Sequence, residues 1–397
     1  MRISTGSIQQ GGLATMLRAQ AELARTQEQI ATGRRVVTAA DDPGAAVQIQ
    51  QIERALAANA QFATNAAVVT NRLSLEEQAL ADAGNTLRRV GELALQANNG
   101  VIDFASRRAI ATEIRSRAEE LMSIANRQDA SGDYLFGGTR STGRPFARLA
   151  ASVAYSGDSG SRMIQVSTSQ RIEDGHSGDE VFMNVPAGAG SFRASAATTN
   201  TGTGILDPGT MSNLAAWVPG TYTVEFTSPT SWQARDAGNV VIGSGTFQSG
   251  ASITVNGARI AINGEPAAGD RFTIATAGFE DMFTTLDRLV ATLEASPGTP
   301  AARALWASEM NTIIQQLGQA GDHLLNVRAD VGSRLSRLDA VDSAREDLEL
   351  ELNTSISALR DVDYSTAITR MNAQMVTLQA AQQSYSRIAG LTLFDYL

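Results

Sequence analysis

From Leu13 to Ile30 the large apolar residues Met16, Leu23 and Ile30 recur every seven positions, with Ala19 and Thr26 between them. That spacing predicts an amphipathic helix whose apolar stripe forms a coiled-coil-like seam. Gly33 stands where a helix C-cap is expected. After a short loop, Asp42 suits an N-cap and Pro43 the first position of a new helix. This second helix carries Ile49, Ile52, Leu56, Asn59, Ala63, Ala66, Thr70, Leu73, Glu77 and Leu80 at alternating spacings of three and four. Asn98-Asn99-Gly100 turns the chain, and a third helix is predicted from about Asp103 to Arg127, with Ile110, Ile114, Leu121 and Ile124 on one face.

The period changes near Asn126 to Gly138, and Gly132-Asp133-Tyr134-Leu135-Phe136-Gly137-Gly138 reads as entry into β structure. Up to about Thr276 the chain is rich in Gly, Ser and Thr, with short alternating runs at Arg162 to Ser167, Tyr222 to Phe226, Ser252 to Val255, Ala258 to Ile262 and Arg271 to Ile274. The stretch from Pro186 to Pro208, dense in Ala, Gly, Ser and Thr, is expected to be a flexible link. Helical period resumes with Phe283, Leu286, Leu289, Val290 and Leu293, breaks at Pro297 to Pro300, and continues through Ile313, Leu317, Leu324, Val327, Val331, Leu335 and Leu338, then Leu348 and Leu352. Asp363 looks like the cap of a last helix carrying Ile368, Met371, Met375, Leu378, Gln382, Tyr385 and Ala389.

The expected class is therefore α+β, a long antiparallel helical bundle or coiled coil built from both termini with a β-rich middle domain inserted. Each terminal seam is marginal alone, and burying one against the other is the simplest solution. The boundaries expected are an N-terminal assembly helix, 1–40, pairing with 355–397; a helical rod from 41–135 and 280–354; and a projecting β domain, 136–279, divisible into 136–188 and 210–279.

Composition narrows the function. The chain is 43 % hydrophobic but 5 % aromatic, which favours helices packed closely through small side chains. A net charge of −9 argues against nucleic acid and against an anionic membrane surface. The first ten residues lack a cationic head followed by an apolar run, so no cleaved signal peptide is expected. Cysteine is absent, which removes disulfides, thiolate catalysis and Cys-based metal sites. All 32 basic residues are arginine, so neither a Schiff-base lysine nor a phosphate-loop lysine is possible.

Little remains that could carry catalysis. His323 lies in a helix beside Leu324, and His176 lies in Glu173-Asp174-Gly175-His176-Ser177-Gly178-Asp179-Glu180. The second segment has polar groups that could hold a hard cation, but its spacing matches no calcium loop, and an exposed acidic turn is the expectation. No zinc-protease histidine pair is present, and the Met371/Met375 pair reads as seam. No catalytic residue, cofactor or metal is expected, and the chain is not expected to be an enzyme.

The ends also carry a family pattern. Gln27-Glu28-Gln29-Ile30-Ala31-Thr32-Gly33-Arg34-Arg35-Val36, followed by Asp41-Asp42-Pro43-Gly44-Ala45-Ala46, resembles the N-terminal region of bacterial flagellin-like proteins. Ala125-Asn126, Tyr134-Leu135-Phe136-Gly137-Gly138-Thr139, Asn326 to Leu335 (containing Gly332) and the ending Leu393-Phe394-Asp395-Tyr396-Leu397 narrow the resemblance to the hook-associated protein 3 family, the flagellin-like junction proteins. It covers roughly 1–185 and 280–397; within 190–276 only Gly269-Asp270-Arg271-Phe272-Thr273-Ile274 is similar, to a small repeat of that group. Thr32 before Gly33, Pro43 after the paired aspartates and the Phe394-Asp395-Tyr396-Leu397 tail set the chain apart from flagellin itself.

The resemblance implies unfolded passage through the flagellar type III export channel and a secreted, extracellular place at the hook–filament junction, where the protein serves motility as a structural part. The implied partners are the first hook-associated protein, flagellin, copies of the chain in a ring, and an export chaperone on the C-terminal helix, with no nucleic acid and no membrane. Missing cysteines and the missing cleavable signal then share one reason. The residues expected in the assembly seam are Met16, Leu23, Ile30, Ile368, Met371, Met375, Leu378 and Tyr385. Two alternatives stand beside this reading: a minor flagellin that forms filament, and a secreted adhesin or carbohydrate-binding β domain using Trp217, Trp232 and Tyr222, residues that core packing explains more simply.

Overall fold

The computed structural model describes residues 5–150 and 152–390. Helices α1 (Thr5–Thr32), α2 (Pro43–Ala97) and α3 (Phe104–Ala125) precede the strands, and α4 (Met282–Glu294), α5 (Pro300–Arg360) and α6 (Tyr364–Gly390) follow them. Contacts gather the chain into two compact units. One comprises the segments up to Thr64 and from Ala340, and the other is Asn65–Asp339.

Local chemistry sets the helix ends. Asp42 Oδ1 accepts the Ala45 N–H at 3.0 Å, leaving Pro43 at the first helical position where its missing N–H costs nothing. Asp103 caps α3 by accepting the Ser106 N–H at 2.7 Å, and Asp281 caps α4 through the Thr284 N–H at 2.7 Å. Helix α4 ends before Pro297, and α5 starts on Pro300. Asp363 accepts the Ser365 N–H at 2.9 Å just ahead of α6.

In the unit Asn65–Asp339, α2 buries Leu73, Leu80, Leu87 and Val90, α3 buries Ile110, Ile114 and Leu121, and α5 buries Ile313, Leu324 and Val331. Helices α3 and α4 pack together, with Leu286, Leu289 and Leu293 buried. Two small antiparallel pairs follow α3: β1 (Phe146–Arg148) with β2 (Val153–Tyr155), and β3 (Met163–Gln165) with β4 (Arg171–Glu173). Beside them a cluster of fully buried rings forms, Phe182 standing edge-on to Phe136 at 5.1 Å and to Phe146 at 5.6 Å. Strand β5 (Val185–Pro186) then pairs with β14 (Phe279–Glu280), the last strand among the described residues.

Between those two strands the chain builds a sandwich. One sheet has the order β10-β9-β8-β13-β6 and the other β11-β12-β7. The strands are β6 (Phe192–Ala196), β7 (Ile205–Met211), β8 (Thr221–Ser228), β9 (Ser231–Arg235), β10 (Val241–Thr246), β11 (Ser252–Val255), β12 (Ala258–Asn263) and β13 (Arg271–Thr276). Alternation points Tyr222, Val224 and Phe226 of β8 and Phe272 and Ile274 of β13 into one core, where they meet Ile253, Val255, Ile260 and Ile262 of the facing sheet. The Asn256-Gly257 turn between β11 and β12 has φ of 45° and 86°, the left-handed pair that a two-residue hairpin demands.

The Gly269-Asp270 stretch has a structural role here. Asp270 is buried and its carboxylate accepts the N–H groups of Thr201 (2.8 Å), Gly202 (3.1 Å) and Ala267 (2.9 Å), pinning the turn that leads into β13. Outside the sandwich, β7 docks on α5: Ser308 Oγ accepts the Leu206 N–H at 2.8 Å, while Asn311 and Gln315 donate to the carbonyls of Leu206 (3.0 Å) and Gly209 (2.7 Å).

Two expectations change, and the tryptophans take the core places that packing suggested. Pro186 to Pro208 is not a flexible link, since it contains β6 and the start of β7. Pro208 is tolerated because β7 is an edge strand, and the register slips opposite it, between Arg259 and Ala261. The acidic segment around His176 is not exposed: Asp174, His176 and Ser177 are all buried, because Arg72 and Glu76 of α2 and Arg334 of α5 supply partners for it. Trp217, at 5.9 Å from Phe192 and 5.7 Å from Tyr222, packs with Trp232 against the sandwich core.

Candidate assembly site

Helices α1 and α6 lie antiparallel, in contact along the seam. Two glycines show how close they come. A Cβ on Gly12 would lie 3.2 Å from the Tyr385 ring, and one on Gly33 would lie 3.0 Å from the Tyr364 hydroxyl. Those contacts set a single register, in which Met16 lies level with Ala381, Ala19 with Leu378, Leu23 with Gln374, Thr26 with Met371 and Ile30 with Ala367. Both helices step by alternating fours and threes, so the seam stays in register over its described length. In most layers a large residue faces a small one, which lets the backbones approach.

The expected seam residues fall into two groups. Met16, Leu23, Ile30, Met371, Leu378 and Tyr385 are half-buried along the contact. Ile368 and Met375 are instead 44 % and 38 % exposed, one step off the line. Their places belong to Ala367, which is buried, and Gln374, whose amide oxygen is buried without a partner among the described residues. The spacing already contained this line, since Ala367, Met371, Gln374, Leu378, Ala381 and Tyr385 keep the same alternation. Choosing large apolar residues over small and polar ones concealed it.

At the turn out of α1, Gly33 takes φ +69°, a left-handed C-cap that favours glycine. Its carbonyl accepts the Val362 N–H at 2.9 Å, and the Arg35 N–H reaches the Arg360 carbonyl at 2.6 Å. Arg35 also donates to the Leu359 carbonyl at 2.6 Å and pairs with Asp42 at 3.3 Å. Asp41 holds the loop from within. It accepts the N–H groups of Thr38 (2.6 Å) and Val37 (2.9 Å) and pairs with Arg25. The Thr38 amide is the main reason that the Asp41 carboxyl sits below its ordinary range, and the Ala45 amide does the same for Asp42. Depressed carboxyl pKa values contribute stability above the unfolded-state pKa and lose it as pH falls through the folded one, so these ties hold at neutral pH and loosen in acid. Val36, Ala45 and Ile49 form a small core beside the turn, with Leu359 against it.

The remaining motif residues serve the unit Asn65–Asp339. Asn126 closes α3: its Nδ2 donates to the carbonyls of Met122 (3.0 Å) and Phe146 (3.1 Å), while its Oδ1 accepts the Phe146 N–H (3.0 Å). The Tyr134 N–H donates to the Ser141 carbonyl at 2.7 Å. Phe136 fills the ring cluster, and Gly137 and Gly138 turn the chain where Cβ atoms would strike the carbonyls of Arg140 and Asp158. Asp158 completes the turn by accepting from the Thr139 N–H and hydroxyl. Gly332 lies on an exposed face of α5 with open space around it. Phe394, Tyr396 and Leu397 lie outside the described residues.

Beside the seam, Leu13, Leu17, Ile368, Met375 and Val376 leave apolar surface to solvent on the paired helices. Among the described residues, no group of three or more His, Cys, Asp or Glu is placed to hold a metal ion, and no helix is long and apolar enough to cross a membrane.

A frame of capped helices before and after an inserted β sandwich, closed by pairing of the first helix with the last, defines the flagellin-like class. Residues 3–141 match the bacterial flagellin N-terminal helical region and residues 314–397 the C-terminal one. The crystal structure of Xanthomonas campestris FlgL is similar at 37 % identity, covering 77 % of this chain and 99 % of that one with a TM-score of 0.72. The flagellar junction protein FlgL from Legionella pneumophila is similar at 30 % identity, covering 79 % of this chain and 100 % of that one with a TM-score of 0.71. Flagellar hook-associated protein 3 of Salmonella typhimurium is 25 % identical over 396 residues, 100 % of this chain and 99 % of the relative. The chain belongs to the FlgL, or hook-associated protein 3, family.

The ring cluster gives a direct test of the motif. Phe136→Ala should lower unfolding stability by about 3–5 kcal/mol through lost burial and the cavity left behind, measured by urea titration followed through tryptophan fluorescence.

Proposed function

We propose that the chain is the structural adaptor joining the flagellar hook to the flagellin filament. The observation that carries this reading is its full-length similarity to hook-associated protein 3, within a frame shared with flagellins at both ends. In this role the protein leaves the cell by type III export and adds beyond the first hook-associated protein. Copies of the chain form a ring, and the first flagellins build on it. The paired α1 and α6 are the assembly element. Their seam residues Met16, Leu23, Ile30, Met371, Leu378 and Tyr385 hold the pair, and the apolar side chains beside it give a neighbour something to bury. The role is structural, and none of its steps needs a catalytic group. An export chaperone covers 363–397 before assembly, which keeps the C-terminal apolar face from associating early.

Deleting the gene should leave bare hooks, with flagellin shed as monomer into the supernatant, as seen by electron microscopy. Intact filaments would reduce the protein to a minor flagellin or an accessory. Leu378→Asp places a charge in the seam opposite Ala19 and should abolish incorporation while the protein is still exported, scored by immunoblot of purified hook–filament fractions. Removing 363–397 should abolish chaperone capture in a pull-down, and retained capture would move the chaperone site elsewhere.

A further inference from the structure

His176 stands between two carboxylates. Its Nδ1 is 2.8 Å from Glu76 Oε1 on α2, and its Nε2 is 3.0 Å from Asp330 Oδ2 on α5, while its own backbone N–H donates to Glu76 Oε1 at 3.1 Å. His176 is 4 % exposed, and Glu76 is 1 % exposed. A carboxylate oxygen accepts but does not donate, so both ring nitrogens satisfy this geometry only when both carry a proton. A neutral ring, itself buried, would aim one lone pair at an oxygen lone pair. Buried Glu76 also needs a cation, and among the described residues the cation paired with it is His176.

We infer that His176 is a proton-dependent clamp, fastening the segment Glu173–Glu180 to α2 and α5 as an imidazolium and letting go when it becomes neutral.

The surrounding charges support this. From α5, Arg334 faces the site but is already engaged by Asp330 and by Glu173, each at 2.7 Å. From α2, Arg72 is taken up by Asp129 at 3.0 Å and Asp174 at 3.5 Å. Neither arginine replaces the imidazolium against Glu76. Burial pushes the His176 proton off, but the hydrogen bond and charge of Glu76 outweigh it, with Glu180 helping and Arg334 opposing, and the ring titrates above its ordinary value. A raised folded-state pKa gives stability that is fully present below the unfolded value of about 6.5 and lost as pH rises through the folded one. The clamp is therefore closed below the ordinary imidazole value and opens as pH rises through the raised one.

The chain has two histidines, which makes the measurement simple. Imidazole NMR of the full-length protein, assigned with His323→Gln, should show His176 titrating above about 6.5. Asp330→Asn should lower that midpoint. Hydrogen exchange at the His176 amide, corrected for its intrinsic pH dependence, should lose protection by up to about tenfold per pH unit through the transition. His176→Gln should remove this dependence, and His323→Gln should keep it. Titration of His176 at or below the ordinary value, or the same loss of protection in His176→Gln, would overturn the clamp. If His176→Gln does not fold, the wild-type titration and the Asp330→Asn shift decide alone.

Discussion

An apolar stripe on an isolated helix is unstable in water, and this chain places one near each of its ends. Their mutual burial depends on how closely two backbones can approach. Bulk on both sides of the seam would hold the helices apart, so the layers alternate: glycine against Tyr385, alanine against Leu378, Ile30 against alanine. The same economy explains the scarcity of aromatics. Rings are concentrated where a thick core is needed, around Phe136, Phe146 and Phe182 and within the sandwich, and the helical contacts rely on small residues. Close approach also makes the seam intolerant of added volume, which ties the identity of Gly12 and Gly33 to their neighbours on the opposite helix.

Charge follows a second logic in the unit Asn65–Asp339. Arg72, Glu76, Asp174 and His176 are all withdrawn from water, and each is matched by an opposite charge. Without lysine, the long buried cations are planar guanidinium groups, which reach several acceptors at once, as Arg72 does by donating to Asp129 and to the carbonyls of Tyr134 and Leu135. Such a network contributes little net stability compared with an apolar core, but it punishes any arrangement that leaves one member alone. It therefore specifies where the segment Glu173–Glu180 must sit.

The sequence made the helices legible wherever period and caps agreed. The stripe from Ile49 to Leu80 and the caps at Asp42 and Asp363 were visible because three-four spacing and a capping acid are local signals. The line along α6 was only half visible, because Ala367 and Gln374 are poor hydrophobic markers while Ile368 and Met375 beside them are good ones. Strands β6 and β7 hid in an Ala, Gly and Ser texture that reads as linker, with Pro208 a residue that strands admit only at edges and bulges. His176 was illegible for a different reason. Its partners lie 100 and 154 residues away, so the segment looked like a solvated acidic turn. Long-range pairing leaves no trace in local composition.

The way the sandwich joins the helical frame has a consequence for how such chains diversify. Strands β6 and β13 are neighbours, with Phe192 opposite Thr276, so the polypeptide enters and leaves this module at adjacent points about 5 Å apart. The module also has a core of its own. It can thus behave as a cassette: its contents can be lengthened, trimmed or exchanged while the helices on either side keep their caps and seams. What a replacement must reproduce is small, an edge strand able to meet Ser308, Asn311 and Gln315. Surface variety can accumulate there without disturbing the parts that must fit a neighbour.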